Sequence, residues 1–183
     1  MPLPEDEAHE LLLLGLLRRG PMHGYALNKW ITHNWGACTA LKKPTAYYLL
    51  SKMAHRGWIT WDKDSTGHGP QRRVYRLTPT GEVAFWNLLR KNLGTYQPVY
   101  FAGDVGLSFL DVLPPDEARF LLQNRQQQVQ TRRQALEKAP THTGTAALAL
   151  EHQRYHLAAE ERWLEHLLEH LTAYLSSEEE LHG

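Results

Sequence analysis

Apolar residues recur at helical spacing along most of this sequence, and two short strand-like runs interrupt them late in its first half. The elements predicted over residues 1–93 are, in order, helices at about 5–19, 23–33 and 42–56, strands at 58–61 and 72–77, and a helix at 78–92. A turn-rich segment with Gly67, Gly69 and Pro70 separates the two strands, which indicates a β-hairpin. A helix-turn-helix followed by a hairpin is typical of a winged helix-turn-helix fold.

The second half of the sequence predicts two long helices, at about 114–138 and 146–176, after a connector at 93–115 that we expect to be ordered. Large apolar residues fall seven apart in both helices, a spacing typical of coiled coils. Two antiparallel helices with such narrow seams bury little surface alone, so we predict that they pair with a second copy. The predicted dimer contacts are Leu122, Val129, Leu136, Leu150, Leu157, Leu164 and Leu171. The alternative is that both helices fold back onto the N-terminal domain of their own chain.

The predicted fold class is therefore mainly α with a small β-hairpin wing. We expect a winged helix-turn-helix domain over residues 1–93 and a helical dimerisation or effector domain over 94–183. The formal net charge of zero hides a difference between these parts. Residues 11–93 hold 13 Lys and Arg and 3 Asp and Glu, a net +10, whereas residues 94–183 hold 7 and 13, a net −6. This asymmetry indicates that only the N-terminal part meets a polyanion.

Composition excludes several classes of protein. No run of about 18 apolar residues is present, so nothing predicts a membrane span. Acidic residues precede the apolar run 11–17, where a signal peptide would be basic. The single cysteine, Cys38, cannot form an internal disulfide, and we expect a plain thiol there, with a redox sensor as the alternative. We therefore expect a cytoplasmic, nucleoid-associated protein.

Two groups of residues in the basic part suit binding to double-stranded DNA. Cations that meet phosphates supply most of the affinity for DNA. The predicted phosphate or groove contacts are Lys42, Lys43, Arg72 and Arg73, followed by Lys52 and Lys63. Side chains at the start of a recognition helix contact base edges in the major groove, and those predicted to do so are Thr45, Tyr47 and Tyr48. A partly structural role is the alternative for Tyr47.

A sequence motif points to a known family. The stretch Gly20-Pro21-Met22-His23-Gly24-Tyr25-Ala26-Leu27 resembles the Gly-Pro-x-His-Gly-Tyr-x-Leu signature of PadR-type transcriptional regulators. The similarity continues through Thr45, Tyr47, Leu50, Gly57 and Ile59, and then through residues 72–78 and Gly81. The acidic helical C-terminal half is similar to the longer branch of that family, which has its own dimerisation domain.

We therefore predict a homodimeric regulator that acts as a repressor and is released by a small-molecule effector. The symmetry of a dimer would place two recognition helices about one helical turn of DNA apart, so we expect a near-palindromic operator. The family resemblance allows a phosphate contact for Tyr25, with a structural role at the helix junction as the alternative. It also implies an aromatic effector in a pocket lined by Trp and Phe between the two domains. This sequence departs from the usual family motif at the start of the recognition helix, where Lys43-Pro44-Thr45-Ala46-Tyr47-Tyr48 replaces Pro-Gly-Thr-Leu-Tyr-Pro. We expect this change to alter which operator is bound.

Other functions find less support in the sequence. The four histidines His152, His156, His166 and His170 fall within an arc of roughly 80° on the last predicted helix. We predict solvated or interface histidines there and no metal, although pairs four residues apart are able to bind zinc. The sequence has no phosphate loop, nucleophile elbow or paired catalytic carboxylates, so we predict no enzyme. The alternative to a DNA-binding regulator is a winged-helix module that binds another protein.

Overall fold

Helices dominate this protein, and a small antiparallel sheet lies in its N-terminal part. The computed structural model describes residues 5–35, 39, 41–64, 72–138 and 144–176. Its internal contacts divide the chain into two units, residues 1–99 and 100–183. The predicted fold class, mainly α with a small β-hairpin, is confirmed. The predicted domain boundary between residues 93 and 94 stays a prediction.

The first unit has the predicted order of helices and strands. Its elements are α1 (Glu5–Leu17), β1 (Met22–His23), α2 (Gly24–Trp35), α3 (Lys43–His55), β2 (Ile59–Asp64), β3 (Arg72–Leu77) and α4 (Pro79–Gly94). The strands form one sheet in the order β1-β3-β2, with both pairings antiparallel. The β2 strand extends to Asp64, beyond its predicted end at Trp61. The sequence pattern does not predict β1, because two residues are too few to show a period.

Helix α1 contributes four leucines to the core of the first unit. Leu13, Leu14, Leu16 and Leu17 are all buried, and α1 contacts α3, α4 and β3. The run 11–17 has almost no polar face, so it packs against elements on several sides. The apolar run predicts a helix that is buried on more than one side, and the structure confirms this. The residues that surround it in the core are Leu27, Ile31, Leu49, Leu50, Met53, Ile59, Tyr75, Ala84 and Leu88.

Thr78 joins the start of α4 to the end of α3. Its side-chain oxygen accepts a hydrogen bond from the backbone N–H of Gly81 at 3.0 Å, as an N-cap residue does. Its hydroxyl also lies 2.7 Å from the carbonyl oxygen of Gly57, to which it donates. Gly57 has a φ of +70°, the left-handed conformation that commonly follows a helix. These contacts fix where α3 ends and α4 begins.

The buried face of α4 is narrower than predicted. The apolar spacing predicts inward positions at Val83, Ala84, Trp86 or Asn87, and Leu88. Ala84 and Leu88 are buried as predicted, whereas Val83, Trp86 and Asn87 are exposed, so their predicted inward orientation is wrong. The indole of Trp86 instead has partners at the surface, because its Nε1 donates to Glu82 at 2.9 Å. Val83 lies off the stripe of buried residues and contributes nothing to the core.

The second unit is built around a helical hairpin. Its elements are α5 (Asp104–Leu107), a 3₁₀ turn (Leu110–Val112), α6 (Pro115–Glu137) and α7 (Ala146–Ser176). The core that α6 and α7 share consists of Ala118, Leu122, Leu164, Leu167 and Leu171. The preceding connector also packs against this core through Leu107, Leu110 and Leu113, so that part of the connector is ordered as expected.

The leucines spaced by seven residues are used inside this hairpin. The buried members of that set are Leu122, Leu136, Leu150, Leu164 and Leu171. Val129 also packs against the core of α6 and α7. A heptad spacing shows only that a helix has an apolar stripe, and here the two helices cover each other's stripes. The role of the set, including Leu157, in a dimer stays a prediction.

Candidate nucleic-acid interface

The start of α3 presents a basic and aromatic surface. Lys42 and Lys43 are exposed at its first turn, and Pro44 occupies a position where its missing N–H costs no hydrogen bond. Tyr48 is 61% exposed and Tyr47 is 37% exposed. The opposite face of the helix is buried in the core through Ala46, Leu49, Leu50 and Met53. The helix therefore holds its charged and aromatic residues outward, with Thr45 half-buried beside them.

The start of α2 lies directly against this surface. A Cβ atom on Gly24 would lie only 2.8 Å from Cε1 of Tyr47, so the tyrosine ring packs on the backbone of α2. Tyr25 is half-exposed, and its ring stacks on that of His23 with 5.4 Å between centroids. The motif that resembles the family signature thus supports the aromatic surface of α3.

The two sides of the hairpin differ in chemistry. At its base, Ile59 and Tyr75 are buried in the core. Trp61 is paired with Tyr75 in the register of the strands, and Lys63 is paired with Arg73, so these residues continue the same face toward the tip. The guanidinium carbon of Arg73 lies 4.1 Å from the centroid of the Trp61 ring. This cation–π contact holds a cation in place at the tip of the wing.

The other face of the hairpin neutralises its own charge. Arg76 donates to Asp62 at 3.3 Å, and both side chains are exposed. Arg72 lies in β3 opposite Asp64, and the structure describes the backbone of both residues. The predicted contact Arg72 stays a prediction.

Lys52 differs from the other predicted DNA contacts, because its ammonium is ion-paired within the protein. Its Nζ lies 3.1 Å from a carboxylate oxygen of Asp6 and 3.1 Å from one of Glu10, both on α1. Burial lowers the pKa of Lys52, but the hydrogen bonds and charges of Glu10 and Asp6 outweigh this effect and raise the pKa above its ordinary value. Lys52 therefore stays charged and is occupied by α1. Its predicted role as a DNA contact stays a prediction.

Sequence reasoning missed three contributors to this site. Most tryptophans in this part of the sequence are predicted to lie in the core, but the ring of Trp61 lies against Arg73 on the wing. The acidic residues of α1 are predicted from the sequence to lie at the positive end of the helix dipole, whereas in the structure Glu10 pairs with the end of α3. Gly24 is recognised in the sequence only as part of the family-like motif, and its contact with the ring of Tyr47 is not predicted. The alternation along β2 was the one signal that could have placed Trp61 on the same face as Lys63.

Comparison with known proteins finds a family match in the N-terminal part of the chain. Residues 13–87, which include the basic surface of α3 and the wing, match the model of the transcriptional regulator PadR-like family. These residues therefore form a domain that is similar to the PadR-like transcriptional regulators. It is 25% identical over 120 residues to the negative transcriptional regulator PadR of Bacillus subtilis, a match that covers 66% of each chain, just under two thirds.

Solved structures of PadR and of one further regulator show the same fold. Bacillus subtilis PadR in complex with operator DNA is similar at a TM-score of 0.74 and 22% identity, over 87% of this chain and 96% of that one. Bacillus subtilis PadR in complex with p-coumaric acid has a TM-score of 0.71 and 20% identity, over 92% of this chain and 97% of that one. The Vibrio cholerae virulence activator AphA has a TM-score of 0.72 and 18% identity, over 91% of this chain and 99% of that one. A repressor and an activator therefore share this fold.

The histidines of α7 form two exposed pairs. His152 and His156 have their Nε2 atoms 3.2 Å apart, and the rings of His166 and His170 have centroids 4.4 Å apart. Glu160, a carboxylate of the same helix, accepts hydrogen bonds from Arg125. In the part of the chain that the structure describes, no three His, Cys, Asp or Glu residues form a metal-binding group.

Two further predictions concern redox chemistry and membranes. Cys38 lies outside the described residues, so its role as a plain thiol or a sensor stays a prediction. Among the residues with described structure, no helix combines the length and the apolar character needed to cross a membrane. The predicted effector pocket between the two domains also stays a prediction.

One cleft within the second unit is suited to a small ligand. It has a volume of about 380 Å³, and its walls come from α5, the 3₁₀ turn and α7. Trp163 and Tyr174 provide aromatic surface, and the hydroxyl of Tyr174 lies 3.4 Å from Nε2 of His166. Ser108 and Asp111 add polar groups at the edge. This combination of apolar walls with a few polar groups is characteristic of small-molecule sites.

Proposed function

We propose that this protein is a homodimeric repressor that binds a near-palindromic operator in double-stranded DNA and is released by a small aromatic compound. The observation that supports DNA binding best is the basic and aromatic surface at the start of α3, beside a wing whose tip holds Arg73 against Trp61. This surface lies within the residues that match the PadR-like family. The repressor role is proposed from the similarity to Bacillus subtilis PadR, a negative regulator.

The residues of this surface divide into two roles. Lys42, Lys43 and Arg73 would meet phosphates or enter a narrow minor groove, since they carry charge at exposed positions. The predicted readers of base edges in the major groove are Thr45, Tyr47 and Tyr48. We propose Tyr25 as a further phosphate contact and Arg72 as a further contact of the wing. In a symmetric dimer, two such surfaces would lie about one helical turn of DNA apart.

A gel-shift experiment on the region upstream of the protein's own coding sequence tests DNA binding. The double variant Lys43→Ala/Arg73→Ala removes one cation from α3 and one from the wing. We expect specific binding by the wild type that weakens steeply with salt, and at least a tenfold weaker affinity for the double variant. The proposal would be contradicted if the wild type bound the upstream region no more strongly than random DNA and if a selection from random duplexes also gave no preferred sequence.

The second unit supports the proposed homodimer. The segment 105–121 exposes five large apolar side chains, each at least 47% exposed: Val105, Phe109, Val112, Phe120 and Leu121. Apolar surface of this extent commonly marks a contact with another protein. We propose that it packs against a second copy. Sedimentation equilibrium should give a dimer for the wild type and a weaker dimer for Phe109→Ser/Phe120→Ser, while Leu148→Ser, an exposed apolar residue on α7, is the control.

We propose the cleft beside Trp163 as the effector site. A planar aromatic ring fits between Trp163 and the leucines of α5 and the 3₁₀ turn, and the paired His166 and Tyr174 would bind a polar substituent. Because a PadR structure contains p-coumaric acid, this phenolic acid is the first compound to test. It should quench tryptophan fluorescence in the wild type and release DNA, and neither effect should survive in Trp163→Leu.

The alternative function is a winged-helix module that binds another protein. Its exposed tyrosines on α3 would suit a protein contact as well as a DNA contact, but a paired Arg73 and Trp61 at a wing tip favours a polyanion. This alternative would be favoured if the wild type captured a protein partner and if selection from random duplexes gave no preferred DNA sequence. We propose no enzymatic activity and a cytoplasmic location at the nucleoid.

A further inference from the structure

The side chain of Glu10 on α1 is almost completely buried, at 1% exposure, and it meets two cations from one end of α3. Lys52 Nζ lies 3.1 Å from its Oε1, and Arg56 Nη1 lies 3.1 Å from the same oxygen and 3.3 Å from Oε2. Lys52 is on α3, and Arg56 follows its last turn as the C-cap residue. One carboxylate therefore accepts hydrogen bonds from both cations.

The contact fixes this end of the recognition helix in more than one direction. Asp6, one turn before Glu10 on α1, accepts a second bond from Lys52 at 3.1 Å. The guanidinium of Arg56 also lies over the ring of Trp58, 4.9 Å from its centroid. A buried carboxylate is tolerated only while its charge is compensated, so Glu10 keeps Lys52 and Arg56 in place. The position of α3 against α1 depends on this cluster.

The cluster also makes two cations, Lys52 and Arg56, less available to the phosphates of DNA. Cations bind phosphates of any sequence, and each such contact adds affinity without adding specificity. Lys52 and Arg56 are occupied by a carboxylate of the protein, whereas Lys43, at the other end of the same helix, is exposed. The two ends of α3 thus differ in how much charge they offer to a phosphate.

We infer that Glu10 is a positioning residue that determines DNA specificity, by fixing the end of α3 on α1 and by withholding Lys52 and Arg56 from phosphates. This inference rests on the proposed function, because it concerns how the same surface distinguishes an operator from other DNA. Glu10 itself touches no DNA in this account. Loss of its charge should therefore change the ratio of specific to non-specific affinity.

The test compares the full-length wild type with Glu10→Gln and Glu7→Gln. Glu7 is the matched control, because it is also an acid in the first turns of α1, but it pairs with Lys91 of α4 at 2.6 Å. The probes are a duplex that the wild type enriches from a random library and a shuffled duplex of the same composition. Affinities are measured by fluorescence anisotropy over a series of salt concentrations, and circular dichroism reports the folded fraction.

We expect Glu10→Gln to reduce the ratio of specific to non-specific affinity about tenfold, with non-specific affinity equal to or above that of the wild type. The released cations should also make non-specific binding depend more steeply on salt, by about one unit in the slope of log K against log salt per added phosphate contact. Glu7→Gln should leave the ratio within about twofold. In Glu10→Gln/Lys52→Gln the salt slope should return toward the wild-type value.

Three outcomes would overturn the inference. An unchanged ratio in folded Glu10→Gln would show that Glu10 has no role in specificity. A fall of both affinities in proportion to the folded fraction would show that Glu10 serves only the stability of the fold. If the wild type itself prefers no duplex, the proposed function fails and the inference fails with it, whereas a wild type with a clear preference tests Glu10 alone.

Discussion

A Cβ atom on Gly24 would lie 2.8 Å from Cε1 of Tyr47, closer than side chains approach one another in folded proteins. Gly24 is the first residue of α2, and Tyr47 belongs to the exposed surface of α3. The same Cβ would lie 3.2 Å from the hydroxyl oxygen of Tyr47. The ring of Tyr47 can occupy this position only because residue 24 has no side chain.

Gly24→Ala is expected to weaken operator binding more than it weakens the fold. The atoms that would clash belong to the far end of a side chain, so the ring of Tyr47 can move away at small cost in stability. We expect about tenfold weaker specific DNA binding, which corresponds to about 1.4 kcal/mol, with a thermal midpoint close to that of the wild type. In a Tyr47→Ala background Gly24→Ala should have no further effect on DNA binding, and an undiminished effect there would contradict this explanation.

The two faces of the wing provide a matched pair of arginine variants. Arg73 lies over Trp61 on the face that continues from the core, and Arg76 pairs with Asp62 on the other face. We expect Arg73→Ala to lower the salt slope of DNA binding by about one unit, because one phosphate contact is lost. Arg76→Ala removes the same charge and should change the slope by much less. Anisotropy titrations at several salt concentrations measure both, and equal losses would argue against the proposed face.

The first unit could be predicted well from sequence because its signals are local. The apolar spacing of the helices, the turn-rich segment before Arg72 and the Thr78-Pro79 helix start all lie within a few residues of what they determine. Among the helices and strands of this unit, the sequence pattern missed the two-residue strand β1, and on α4 it did not predict the outward orientation of Trp86.

Features that depend on distant residues could not be predicted in the same way. The heptad leucines, such as Leu122 and Leu164, identify an apolar stripe on each helix, but they do not tell which helix covers it. Glu10 and Arg56 are 46 residues apart, and nothing in the sequence pairs one acid with one base at that distance. The position of Trp61 also could not be predicted. Its apolar side chain suggests a core residue, and only the strand register places it beside Arg73.

Gly81 is expected to be intolerant of any side chain. A Cβ atom there would lie 1.9 Å from the carbonyl oxygen of Trp58, which is backbone and cannot move away as a side chain can. We expect Gly81→Ala to lower the free energy of unfolding by about 3 kcal/mol, at the upper end of overpacking effects. Gly94→Ala is the control, because a Cβ there would have nothing within 4 Å and alanine favours a helix. Urea denaturation measures both, and a Gly81→Ala midpoint equal to that of Gly94→Ala would contradict the prediction.

The pairing of Arg18 with Glu82 predicts how stability depends on acid. Arg18 Nε lies 3.0 and 2.9 Å from the two carboxylate oxygens of Glu82. This hydrogen bonding holds the pKa of Glu82 below its ordinary value of 4.5 against the opposing effect of burial, with help from Trp86. Since the folded-state pKa is the lower one, the stabilisation is complete above pH 4.5 and is lost as the pH falls below that value toward the folded-state pKa.

The variant Glu82→Gln isolates this contribution. The difference in urea midpoint between wild type and Glu82→Gln should be constant above about pH 5.5 and should shrink as the pH falls through the region below 4.5. In an Arg18→Met background, the substitution at 82 should no longer produce a pH-dependent difference, because the partner that lowers the pKa of the carboxyl is gone. A difference that persists in that background, or that grows toward low pH in the wild type, would show that Glu82 is stabilised by other groups.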